Sequence, residues 1–65
     1  MNKLSLEVNK SYLDKSDATV TITSICVEVL DTGEIETVLV VHANDKFYWL
    51  RLPQDNAIIK TWRTT

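Results

Sequence analysis

Sixty-five residues make one domain, near the lower end of the size at which a hydrophobic core alone offsets the entropy of folding. Cys26 and His42 are the only cysteine and the only histidine, which excludes an internal disulfide and a zinc constellation, and a lone thiol fits a reducing, cytoplasmic setting. The formal charge of −2 offers no overall attraction to nucleic acid or anionic lipid, no stretch reaches membrane-spanning length, and Glu7 interrupts the start before a signal-like apolar run develops.

Leu4, Leu6 and Val8 alternate with Lys3, Ser5, Glu7 and Asn9, the period-two pattern of a half-buried first strand. Residues 9–18 are polar, with Tyr12 and Leu13 as the only large apolar groups, which predicts a loop or a single helical turn pinned by those two side chains. A second strand over residues 19–30 starts with Val20 and Ile22 on one face and continues with Ile25, Val27 and Val29 on the other parity. A β-bulge or bend near Thr23 and Ser24 would return all five to one buried face. Within this strand, Cys26 lies between Ile25 and Val27 and is expected to be a small packed hydrophobe.

Asp31-Thr32-Gly33 predicts a three-residue hairpin loop, with the glycine in the left-handed conformation. Strand three covers residues 34–43, Asn44-Asp45 is a second turn, and strand four covers residues 46–52 up to the breaker Pro53-Gln54-Asp55-Asn56. Residues 57–63 are expected to form strand five, since Ile58, Ile59, Thr61 and Trp62 are β-branched or aromatic. A helical turn capped by Asp55 or Asn56 is the alternative. The predicted fold class is all-β: a small five-stranded antiparallel meander, or an SH3-like or OB-like barrel, with at most one short helical turn.

The stretch from Val29 to Leu39, through Asp31-Thr32-Gly33, resembles the active-site loop of retroviral-type aspartic proteases. That resemblance implies Asp31 as one half of a proton-sharing dyad that activates water. It spans only these eleven residues. The chain is far shorter than such a protease subunit and has no glycine after Gly33 for a flap, so the triplet is read as a hairpin loop. His42 has no local partner for a nucleophile-and-base pair, and the acidic pairs Glu34/Glu36 and Asp14/Asp17 are too sparse for a calcium loop. No catalytic residues, metal or cofactor are therefore assigned, and the chain is not expected to be an enzyme.

The turn at Asn44-Asp45 sets the register of strands three and four, placing His42 opposite Phe47, Val40 opposite Trp49 and Val38 opposite Arg51. The other face of this hairpin carries Ile35, Leu39, Val41, Tyr48, Leu50 and Leu52. Both faces are apolar, and a barrel has one interior. The larger aliphatic set is assigned to the core, joined there by Ile25, Val27 and Val29, and Val38, Val40, Phe47 and Trp49 are assigned outward. The three-residue loop also sets Glu28 opposite Glu36, a repulsive pair that Arg51 on the diagonal would relieve.

Charge is divided along the chain. Up to Glu36 seven acids face three lysines, a net −4, whereas from Thr37 onward Asp45 and Asp55 face Lys46, Arg51, Lys60 and Arg63, a net +2. The favoured expectation is a small intracellular protein-binding module or inhibitor-like accessory protein. It would associate with itself or a protein partner, and not with a membrane, through Val38, Val40, Phe47, Trp49 and Arg51. The alternative is single-stranded nucleic-acid binding through Lys46, Trp49, Arg51, Lys60, Trp62 and Arg63, with aromatic rings stacking on bases and the basic groups on phosphates.

Overall fold

A computed structural model describes residues 6–65. Its strands are β1 (Ser11–Leu13), β2 (Thr19–Val29), β3 (Ile35–Ala43), β4 (Lys46–Leu52) and β5 (Arg63–Thr64), with one short helix, α1 (Asn56–Ile59), between the last two. They form a single antiparallel sheet in the order β4-β3-β2-β1-β5. The all-β class holds, but β4 and β5 are the two outermost strands and do not pair with each other, so the sheet is not closed into a barrel.

The long hairpin β2–β3 follows from its turn chemistry. Gly33 adopts φ +87°, its N–H donates to the Leu30 carbonyl at 2.8 Å, and the Leu30 N–H donates to the Glu34 carbonyl at 2.8 Å. The expected bulge is present: pairing shifts between Ile22 and Ser24, leaving Thr23 extra, and the Thr23 hydroxyl donates to the Val40 carbonyl at 3.0 Å. Asn44 and Asp45 both take positive φ, 52° and 62°, the geometry of a two-residue hairpin whose twist matches its strands.

The expectation for the N-terminal segment is corrected. Of the strand expected around Leu4, Leu6 and Val8, residues up to Ser5 lie outside the described residues, while Val8 and Asn9 form a turn. The first strand is instead Ser11–Leu13, inside the stretch read as a loop, with Tyr12 fully buried at its centre. A three-residue strand is too short to display any periodicity. Asp14 then closes a tight loop, its carboxylate accepting from the Ser16 N–H at 2.8 Å, the Ser16 hydroxyl at 2.7 Å and the Ala18 N–H at 3.0 Å. Those bonds, the Ser16 hydroxyl foremost, hold the Asp14 pKa below the usual carboxylate range.

The C-terminal expectation is corrected as well. Residues 57–63 do not form one strand: α1 comes first, and only Arg63 and Thr64 pair with β1. The reason is topological, because the chain leaves β4 at one edge of the sheet and must reach β1 near the other. The crossover buries Ile59 and Trp62 over the sheet, and Trp62 stacks on Tyr12 with centroids 5.6 Å apart. Asp55 precedes the helix without capping it through its side chain.

The core comprises Tyr12, Val20, Ile22, Leu39, Val41, Ala43 and Leu50 from the sheet, closed by Ile59 and Trp62, with Leu6 and Leu52 packed alongside. It covers only half of the inner face. The register aligns Ile25 with Leu39 and Val29 with Ile35 on that face, as expected, yet Val27, Val29 and Ile35 are 68, 71 and 69 % exposed. Assigning these residues and Ile25 to the core is therefore corrected: β2 and β3 project beyond the crossover. Cys26, expected to be packed, is exposed on the opposite face.

Candidate functional site

The outer face of the β3–β4 hairpin is a cross-strand ladder. Val38 pairs with Arg51, Val40 with Trp49 and His42 with Phe47, matching the register set by the Asn44-Asp45 turn. Their Cβ atoms share one face because strand side chains alternate, and the partners Leu39/Leu50 and Val41/Tyr48 point to the core side. Phe47 and Trp49 are 64 and 63 % exposed, Val40 and His42 are half-buried, and the His42 and Phe47 rings lie 4.8 Å apart at 55°. The result is an aromatic and aliphatic patch at the sheet edge.

Val38 departs from the expectation of an outward contact residue, being only 4 % exposed. It sits on the interior strand β3, between Cys26 on β2 and Arg51 on β4. Arg51 reaches across it: the same guanidinium nitrogen, Nη1, donates to Glu36 at 2.9 Å and to Glu28 at 3.0 Å. Glu28 and Glu36 are directly opposed, so the arginine neutralises a like-charge pair and covers the buried Glu36 carboxylate. The hydrogen bonds to Glu36 first and Glu28 second raise the pKa of Arg51 above its already high usual value. Arg51 thus closes one end of the patch as an ion-paired lid, and Phe47, Trp49, Val40 and His42 remain its accessible part.

Backbone groups add a second feature. β4 is an edge strand, and Asp55 folds back against it: the Arg51 N–H donates to the Asp55 carboxylate at 2.8 Å, and the Asp55 N–H donates to the Arg51 carbonyl at 2.8 Å. Because alternate residues of a strand aim their N–H and C=O groups the same way, Phe47 and Trp49 also present theirs outward. The sequence suggested Asp55 only as a turn or cap residue. Its role at the edge depends on β4 ending the sheet, which no local pattern records.

The residues considered for nucleic-acid binding are not brought together. Lys46 pairs with Ala43 on the core-side face, and Trp49 and Arg51 lie on the outer face, where Arg51 is engaged by two glutamates. Trp62 is inside the core, and Arg63, on the far edge strand, is ion-paired with Asp17. Lys60 follows α1 on the crossover.

On the core side, a concavity of about 320 Å³ lies between the Asp14 loop, Ala43, Tyr48, Ile58 and Trp62. Asp31 lies exposed in the hairpin loop. Among the described residues, no group of histidine, cysteine, aspartate and glutamate side chains is placed to hold a metal ion. No helix among them is long and apolar enough to cross a membrane. Neither protein-family models, nor characterised proteins, nor solved structures give a match to this chain.

Proposed function

We propose that the protein works by association, as a small protein-binding module whose contact surface is the outer face of the β3–β4 hairpin. The observation that carries this reading is the pair Phe47 and Trp49, more than half exposed side by side on a domain that is otherwise short of buried apolar surface. Val40 and His42 extend the patch inward, and the Arg51 ion pairs mark its boundary. Tryptophan and arginine are frequent anchors of protein interfaces because they combine large contact area with directional polar groups.

The scattered positions of the basic residues favour a protein partner over nucleic acid, since phosphate binding relies on several cations converging on one groove. Sedimentation of the wild type and of Trp49→Ala, with purified partner recovered from the source cell where one is found, tests the proposal. The variant is expected to keep its secondary structure and to bind about 30-fold more weakly, equivalent to ~2 kcal/mol. Unchanged association in Trp49→Ala, or binding to single strands that collapses as salt is raised, overturns it.

A further inference from the structure

Resting on that reading, we propose that the partner is a second copy of the chain, joined edge to edge through β4 in an antiparallel, two-fold arrangement centred on Tyr48 that merges the two outer-face patches. The edge of β4 offers outward N–H and C=O groups at Phe47 and Trp49, while those of Arg51 are taken by Asp55 and those beyond Lys46 belong to the positive-φ turn. Antiparallel pairing places outward-facing residues opposite outward-facing residues. Centring on Phe47 would require the Asp45 turn to pair with Trp49. Centring on Trp49 would require the occupied Arg51 groups to pair with Phe47. Only centring on Tyr48 uses both open residues of each chain and no blocked one.

That register puts Phe47 of each copy opposite Trp49 of the other, on the outer face, and makes one continuous sheet of the two molecules. The four aromatic rings form a single cluster across the axis, flanked on each side by His42 and Val40. Lys46 falls opposite Leu50, with no like charges opposed, and the ladder ends there because Asp45 lies in the turn and the edge of Arg51 is held by Asp55. A two-fold axis makes such a surface self-complementary and closes the assembly at two copies.

The contact is short and belongs with weak interfaces, so sedimentation should be carried to about 1 mM. The mass is expected to approach that of a dimer, and amide exchange at Phe47 and Trp49 is expected to slow at least tenfold between dilute and concentrated samples. Register is tested by two double variants checked for native circular dichroism. Both variants lose the aromatic contact, and Phe47→Lys with Trp49→Glu, which places opposite charges across the axis, is expected to associate about tenfold more tightly than Phe47→Lys with Trp49→Lys, which places like charges there. A wild type that stays monomeric overturns self-pairing and leaves the outer face to a different protein. Self-association without slowed exchange at Phe47 and Trp49, or equal loss in both double variants, overturns edge pairing while the outer-face reading stands on the Trp49→Ala result.

Discussion

The inner face of the sheet has two halves built from the same kinds of residue. Near the bulge, Ile22, Leu39 and Val41 are buried beneath the crossover that brings in Ile59 and Trp62. Toward the Asp31 hairpin, Ile25, Val27, Val29 and Ile35 continue the same alternation on the same face and remain exposed. Strand periodicity selects a face, and burial then depends on whether another element lies over it. Among the described residues, α1 and one crossover cover only one half.

Truncations on the two halves should break the equivalence most visibly. Ile22→Ala is expected to cost about 2–5 kcal/mol in denaturant unfolding, because a fully buried branched side chain leaves a cavity. Val27→Ala on the exposed half should stay within about 0.5 kcal/mol. A large loss at Val27 would mean that the outer half is covered in solution.

The ion-paired lid sharpens the contrast between the two faces. Arg51→Ala should lower the denaturation midpoint, since Glu36 is left buried with Glu28 directly opposite. The same substitution should cost less when Glu28→Gln and Glu36→Gln are present. Equal losses in both backgrounds would show that the aliphatic stem over Val38, rather than charge, is what matters.

Smaller effects are expected in the loops. Gly33→Val should destabilise by about 1 kcal/mol through its positive φ alone, as nothing lies within 4 Å of the position a Cβ would occupy. Gly33→Asn, better suited to that conformation, should lose less in the same thermal melt. Because the native Asp14 pKa is depressed, the carboxylate favours folding above its unfolded-state pKa, and that contribution is lost as pH falls through the native one. Asp14→Asn should therefore flatten the acid limb of a stability-against-pH curve without moving the neutral-to-alkaline limb. Native-state labelling of Cys26 should be rapid, in keeping with its exposure.

Much of the hairpin architecture was legible in the residues. Asn44-Asp45 and Gly33 dictate turns whose lengths set the β3–β4 and β2–β3 registers, and the parity change around Thr23 announces the bulge. The clash of Glu28 with Glu36, and its relief by Arg51, follow from that register. The same register puts Phe47 and Trp49 on one face, and the larger aliphatic set opposite marks that face as the outer one, although Val38 on it is buried. These features are local, or propagate from a turn by strict alternation, which is why a linear pattern carries them.

What only the tertiary structure decided is which surfaces receive cover. Tyr12 becomes the centre of a three-residue strand because β2 is there to pair with it, and Trp62 leaves the predicted strand because the chain must cross from β4 to β1. Val38 is buried opposite an arginine that reaches across the strand to Glu36 and Glu28, and Asp55 spends its carboxylate on the β4 edge instead of on a helix. Each outcome depends on a neighbour distant along the chain or on a position at the sheet edge. Periodicity fixes direction within a strand, whereas burial depends on the path taken by the rest of the chain.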